Sequence, residues 1–324
     1  MKKYTLLFSI MLAVCTASAQ DVKNPVWPHN WPDPTIWQDG SEYFCIATRP
    51  LHMLRSTDLM HWEMAEQTPI DSASWDTLHR IASRYWAPDV TCVNGRRLLY
   101  LTLYNSAEDS NIAVLRQEND GQFHFVRLLT RSRDTGIDDT IDPEVVEEPR
   151  SGRVWLFFGS VGGIHRIQLT RDGENLLPGA KYEHVAGRTN KQDPSRQTVF
   201  EGSYLHRHGK YWYLFVSSGF YGDHTYTLQV GRSKKLTGTF RDREGRPMAE
   251  GHATPVIQSE AGDFFYGPGH CGEIYTAANG KQYIFYHSHV RSTHPRNRPM
   301  MMQEILWDKA GWPYVEGGKP SATP

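Results

Sequence analysis

The stretch EGSYLHRHGKYWYLF, residues 201–215, decides how the rest of the chain is read. Glu201-Gly202-Ser203-Tyr204-Leu205 passes through a His208-Gly209 turn into Tyr211-Trp212-Tyr213-Leu214-Phe215. A polar or acidic start, a glycine turn and an aromatic run predict a β-hairpin. The same plan occurs four more times. Asp33-Pro34-Thr35-Ile36-Trp37 leads through Asp39-Gly40 to Tyr43-Phe44-Cys45-Ile46-Ala47. Trp86-Ala87-Pro88-Asp89-Val90 leads through Asn94-Gly95 to Leu98-Leu99-Tyr100-Leu101-Thr102. Asp142-Pro143-Glu144-Val145-Val146 leads through Ser151-Gly152 to Val154-Trp155-Leu156-Phe157-Phe158. His270-Cys271-Gly272-Glu273-Ile274 leads through Asn279-Gly280 to Gln282-Tyr283-Ile284-Phe285-Tyr286.

These segments begin at residues 33, 89, 142, 201 and 270. A four-stranded blade with generous loops takes roughly 40–60 residues, so the spacing predicts an all-β, five-bladed β-propeller in a single domain, residues 20–324. A β-sandwich accounts less well for five regular repeats. Third strands are expected at 112–115, 163–169 and 226–230, and a strand inside the polar stretch 171–198 at 182–186. No long i, i+3, i+4 stripe predicts a helix. Met300, Met301 and Met302 read as strand packing.

Composition narrows the function. The chain has 324 residues, 35 Lys+Arg against 36 Asp+Glu, and 12% aromatic residues. A charge near zero argues against a nucleic-acid partner. High aromatic content argues against disorder, and no apolar run reaches the ~20 residues that span a bilayer. Residues 1–19 read as a signal peptide: Lys2 and Lys3, an apolar run from Tyr4 to Val14, and Ala17-Ser18-Ala19 before a start at Gln20. Its removal takes two lysines and no acids, so the net charge moves from −1 to −3. A secreted or periplasmic protein is expected; Leu12-Ala13-Val14 before Cys15 fits a lipid-anchor box poorly. Cys45, Cys92 and Cys271 are an odd, scattered set, expected as buried thiols rather than a disulfide framework.

In a propeller the first strand of each blade lines the central axis. The repeats bring Asp33, Asp89, Asp142, Glu201 and His270 to comparable positions, with Asp89 in looser alignment. Carboxylates gathered on one axis push one another's pKa values apart. One then serves as base and another as acid, which suits glycoside hydrolysis, and aromatic rings suit sugar faces. Each carboxylate alone has a plainer reading, since Asp before Pro commonly starts a turn; recurrence in register favours chemistry. A non-catalytic carbohydrate-binding propeller has no need of three converging acids. His287 and His289 alternate on one strand and, with His270 and His294, could frame a zinc site; solvated or core histidines are the plainer reading.

The order Asp33-Pro34, Trp86-Ala87-Pro88-Asp89, Ile141-Asp142-Pro143, Glu201-Gly202-Ser203-Tyr204-Leu205 and Gly267-Pro268-Gly269-His270 resembles glycoside hydrolase family 43. Residues 226–248, with Val230-Gly231-Arg232-Ser233 and Leu236-Thr237-Gly238, are similar to its arabinan endo-1,5-α-L-arabinanase branch. The resemblance implies an inverting hydrolase of arabinose-containing polysaccharide, acting as a monomer. It implies Asp33 as general base, Asp142 as the carboxylate that tunes the acid, Glu201 as general acid and Trp86 as a sugar-lining aromatic. His270 would contact a central metal ion, calcium, through water or directly, and Asp89 would be structural at the base of the cleft. The chain departs from the pattern at Pro32, where many arabinanases have His, and at Tyr286-His287-Ser288-His289-Val290, where many have Tyr-His-Tyr-Tyr-Asp. Both departures fall near the cleft, and α-L-arabinofuranosidase, β-xylosidase and exo-galactanase are the sister activities.

Overall fold

A computed structural model describes residues 23–323, except 190–192, 194, 196, 278, 295 and 296. The signal-peptide segment and Cys15 lie outside the described residues. The chain forms five antiparallel blades around one axis. Blade 1 is Thr35–Asp39, Glu42–Ile46, Leu54–Ser56 and Glu63–Met64. Blade 2 is Arg84–Val93, Arg96–Ser106, Asp109–Gln117 and Phe123–Arg131. Blade 3 is Glu144–Glu147, Val154–Phe158, Ile164–Leu169 and Glu183–Ala186. Blade 4 is Glu201–His208, Tyr211–Ser218, Thr227–Ser233 and Thr254–Ile257.

Blade 5 closes the ring. Phe265–Gly269 and Ile274–Thr276 share its inner edge, followed by Gln282–Val290 and Pro299–Glu304. Its outermost strand comes from the other end of the chain: Trp27–Asn30 pairs with Pro299–Glu304. That pairing ties the first blade to the last, so the ring is held by backbone hydrogen bonds as well as by packing.

Five apolar clusters fill the five gaps between blades. In blade 3, Val154, Leu156 and Phe158 join a cluster with blade 2, while Trp155 and Phe157 join one with blade 4. Successive strand residues point to opposite faces, and here both faces are covered. This is why the second strands are continuously apolar instead of alternating. Met300 and Met302 pack toward blade 1 and Met301 toward blade 4, all three fully buried.

Deep on the axis, the blades are stitched by a ring of side-chain-to-backbone hydrogen bonds in five-fold register. Val90 N donates to Thr35 Oγ1 at 3.0 Å, and Val145 N to Asp89 Oδ2 at 2.8 Å. Leu205 N donates to Glu144 Oε1 at 2.9 Å, and Ile274 N to the Tyr204 hydroxyl at 2.9 Å. Ile36 N donates to Glu273 Oε2 at 2.5 Å, which returns to blade 1. Each acceptor precedes by one residue the amide that its own blade gives to the blade before it. The ring therefore aligns Thr35, Asp89, Glu144, Tyr204 and Glu273. Asp89 belongs to this floor, two residues deeper than the level of Asp33 and Asp142, which corrects its sequence alignment with them. In blade 2 it is Ala87, two residues earlier, that holds the level of Asp33 and Asp142.

Two further expectations change. A ten-residue helix, Ser72–Ile81, sits in the connection from blade 1 to blade 2. Asp71 caps it, accepting from Ala73 N and Ser74 N at 2.9 and 3.1 Å. Only Ser74 and Leu78 are buried, one turn apart, so it offers no stripe long enough to read. Cys45 and Cys271 are buried free thiols, but Cys92 is exposed, because its side chain points outward from blade 2.

Candidate active site

Above the floor ring, five residues share an uncommon backbone state. Asp33, Ala87, Asp142, Gly202 and His270 all have positive φ, between 40° and 61°. This left-handed region is free for glycine and strained for other residues. It tips each inner strand so that its first side chains turn into the mouth of the axis. Glu201 precedes this position by one residue, in the place that Trp86 holds in blade 2. The repeats therefore align Asp33 and Asp142 with His270, and Glu201 with Trp86.

The strained residues are latched from the second strand of the preceding blade. Ala87 N donates to Thr48 Oγ1 at 2.9 Å, Asp142 N to Thr102 Oγ1 at 3.0 Å, and His270 N to Ser217 Oγ at 2.7 Å. The Asp33 amide lies 3.3 Å from Nδ1 of His287, which fills the same place in blade 5. In blade 3 that place is Gly159, which has no side chain. The orphaned amide, Gly202 N, turns instead to Asp142 Oδ2 at 3.0 Å. Two departures from the five-fold pattern thus build the site: a histidine beside Asp33, and a glycine that gives Asp142 a backbone donor.

Asp33 is buried among donors. Thr48 Oγ1 donates to Oδ2 at 2.5 Å. Around Oδ1 stand His287 Nδ1 at 3.2 Å, His270 Nδ1 at 3.4 Å and Arg298 Nη1 at 3.4 Å. Burial alone would raise its pKa, but Arg298, His270 and His287 together outweigh burial and hold it well below the usual carboxylate range. Asp33 is therefore ionised. Asp142 stands in the opposite condition. Burial, then repulsion from Glu201 and Asp33, pushes it well above the ordinary value, with only the Gly202 amide opposing. Asp142 is therefore biased toward its protonated form.

Glu201 is held by two hydroxyls: Tyr226 donates to Oε1 at 2.7 Å and Ser160 to Oε2 at 2.8 Å. Tyr226 reaches it by passing where a side chain would stand on Gly269; a Cβ there would come within 2.2 Å of the ring. Trp86 stacks on Tyr104 with ring centroids 4.2 Å apart, and the Arg84 guanidinium lies 4.8 Å from the Tyr104 ring.

Asp33, Asp142 and His270 come together directly, since His270 Nδ1 is also 3.9 Å from Asp142 Oδ2. Glu201 stands close enough to bias Asp142, while Trp86 stacks on Tyr104. Among the described residues no three His, Cys, Asp or Glu side chains gather as a metal cradle. His287 is fully buried against Asp33, and His289 Nε2 faces the Tyr221 carbonyl at 2.9 Å, so these histidines do not frame a zinc site. For calcium, which takes six to eight oxygen ligands, the residues offer one imidazole. The donor set fits only an ion whose shell is mostly water. Tyr226, Ser160, Thr48 and Arg298 escaped the sequence reading. Tyr226 and Thr48 lie in or beside recognised strands, but nothing in their surroundings marks their direction.

A carboxylate held toward its ionised form, one pushed toward its neutral form and a third held by two hydroxyls can accept and deliver protons around a bound sugar. The comparisons agree with this chemistry. The model of glycosyl hydrolases family 43 matches residues 22–313. An extracellular exo-α-(1→5)-L-arabinofuranosidase of Cellvibrio japonicus is 27% identical over 307 residues, covering 88% of this chain and 86% of the relative. An extracellular endo-α-(1→5)-L-arabinanase of Bacillus subtilis is 27% identical over 296 residues, covering 87% and 86%. Among solved structures, the Cellvibrio cellulosa α-L-arabinanase complexed with arabinohexaose superposes with a TM-score of 0.76. That structure is 25% identical, covering 88% of this chain and 95% of the other. The chain belongs to the glycosyl hydrolases of family 43.

Proposed function

We propose that the enzyme hydrolyses α-1,5-linked arabinan with inversion. Asp33 activates water, Glu201 protonates the leaving oxygen, and Asp142 keeps a proton beside Glu201. The observation that carries this reading is the split between the buried carboxylates. Asp33 is surrounded by positive and donating groups, while Asp142 is pushed toward its neutral form. Such a pair separates base from acid at one pH. In the inverting mode a water stands between base and sugar, and the acid works from the other side. Trp86 and Tyr104 offer a flat apolar face for a furanose ring.

The relatives support arabinan as the substrate, since their names include both endo and exo enzymes on α-(1→5)-linked arabinose. His270 would hold a largely hydrated calcium ion, which supplies positive charge near the carboxylates. The chain's own contribution there is to aim His270 Nδ1 at Asp33 and Asp142. Export fits the leader pattern at residues 1–19 and the extracellular relatives. The enzyme is proposed to act as a monomer.

A substrate panel tests the reading: linear debranched arabinan, branched arabinan, aryl α-L-arabinofuranosides and aryl β-xylosides. Debranched arabinan is expected to be cut fastest, with product size separating endo from exo action. Activity confined to aryl β-xyloside, or to branched side chains, would replace arabinan with a sister substrate. No turnover on any of them, with binding retained, would leave a carbohydrate-binding propeller.

A further inference from the structure

We infer that Arg298 is a positioning residue for Asp33, and that Tyr221 holds Arg298 in place. The inference rests on the reading of Asp33 as the base. Arg298 immediately precedes the strand Pro299–Glu304 of blade 5, far in sequence from every motif of the site. Its Nη1 lies 3.4 Å from Asp33 Oδ1 and 3.4 Å from His287 Nε2. Its side chain is only 17% exposed. The guanidinium carbon stands 5.2 Å from the centroid of the Tyr221 ring, a cation–π distance. Tyr221 comes from blade 4, and its carbonyl is tied to His289 Nε2 at 2.9 Å, which fixes that part of the loop on blade 5.

A guanidinium has donors and no acceptor. The Arg298 guanidinium lies 3.4 Å from His287 Nε2, and the other ring nitrogen, Nδ1, stands 3.3 Å from the Asp33 amide. Nδ1 faces Asp33 Oδ1 at 3.2 Å. Arg298 therefore acts on the carboxylate directly at Oδ1, and packs against the histidine that flanks it. With Thr48 on Oδ2, both oxygens are pinned and the carboxylate plane is set. Its Nη1 contacts are Asp33 and His287 and its guanidinium lies over Tyr221, so Arg298 is placed to orient the base. Loss of a charge-assisted contact on a reacting group costs turnover, because small displacements of a catalytic group cost up to about 100-fold.

The test compares Arg298→Gln, Arg298→Lys, Tyr221→Leu and the double variant Arg298→Gln/Tyr221→Leu with the parent enzyme. Asp33→Asn is run beside them on the same arabinan. Arg298→Gln should lower kcat roughly 10- to 100-fold while KM changes less than about 3-fold. Lysine keeps the charge without the fork, so Arg298→Lys should recover part of the loss. Tyr221→Leu should show a smaller loss, and the double variant should fall no further than Arg298→Gln alone. A kcat within about 2-fold of the parent, a loss carried mainly by KM, or a lysine variant no better than glutamine would overturn the inference. If Asp33→Asn itself retains turnover, the base assignment fails and Arg298 has nothing to position. If Asp33→Asn is inactive while Arg298→Gln is normal, the positioning role alone fails.

Discussion

Replacing Glu273 by Gln should flatten the pH dependence of stability. Glu273 closes the floor ring, accepting from Ile36 N at 2.5 Å and from the Thr35 hydroxyl at 2.8 Å. It shares a cavity of about 410 Å³ with Asp89, Glu144, Tyr204 and Tyr275, and Arg97, which also lines it, is engaged by Asp39 and Gln117. Burial, together with repulsion from Asp89, pushes Glu273 from its ordinary 4.5 up to about 8, although the Ile36 and Thr35 hydrogen bonds oppose it. Asp89 rises to about 7 through burial, and Glu144 rises through burial and repulsion from Asp89. The native state therefore keeps protons that the unfolded chain has released. Stability is fully present below about pH 4.5, and it is lost as pH rises through the folded values. Between 4.5 and 8 one retained proton costs about 1.4 kcal/mol per pH unit, on the order of 5 kcal/mol in all. For a chain of this size that is roughly 8 °C in Tm. Glutamine fills the same space; its carbonyl can accept from Ile36 and its amide can donate to Thr35 Oγ1. Denaturant unfolding of both proteins from pH 5 to pH 9 reads the effect. The parent should lose stability steadily, and Glu273→Gln should lose about one proton's slope less. Parallel curves would refute the argument, whatever their vertical offset.

Two other expectations concern the site. Chelation followed by calcium add-back should abolish and restore turnover, and His270→Ala should no longer respond to calcium. Activity indifferent to chelator, in protein free of metal by elemental analysis, would leave His270 as a partner of Asp33 and Asp142 alone. Proton NMR of the first-formed product should show the inverted anomer, and a retained anomer would contradict a water-activating Asp33.

The five blades were legible because each carries a local hairpin signal, a glycine turn between apolar runs. The ring's closure was not, because Trp27–Asn30 is a four-residue strand that pairs with residues about 270 positions away. The catalytic candidates were legible as residue types, but their level along the axis was not. Asp89 lies two residues beyond the positive-φ residue of its own strand, and Glu201 one residue before that of its own, offsets that the motifs do not mark. Arg298 and Tyr226 became visible only through tertiary geometry. One reaches Asp33 across a blade junction, and the other depends on the missing side chain of Gly269.

The most direct test of the account is the dependence of two variants on the leaving group. Glu201→Gln and Asp33→Asn are assayed on debranched arabinan and on aryl arabino-oligosaccharides whose phenols span a range of acidity. Removing a general acid costs roughly 10²- to 10⁴-fold where the leaving oxygen needs a proton, and little where it does not. Glu201→Gln is therefore expected to be nearly inert on arabinan and to recover activity as the phenol becomes more acidic. Asp33→Asn, lacking the base, is expected to fail on every substrate. Near-normal turnover by Asp33→Asn, or an equal loss on all substrates by Glu201→Gln, would contradict the division of roles between the two carboxylates.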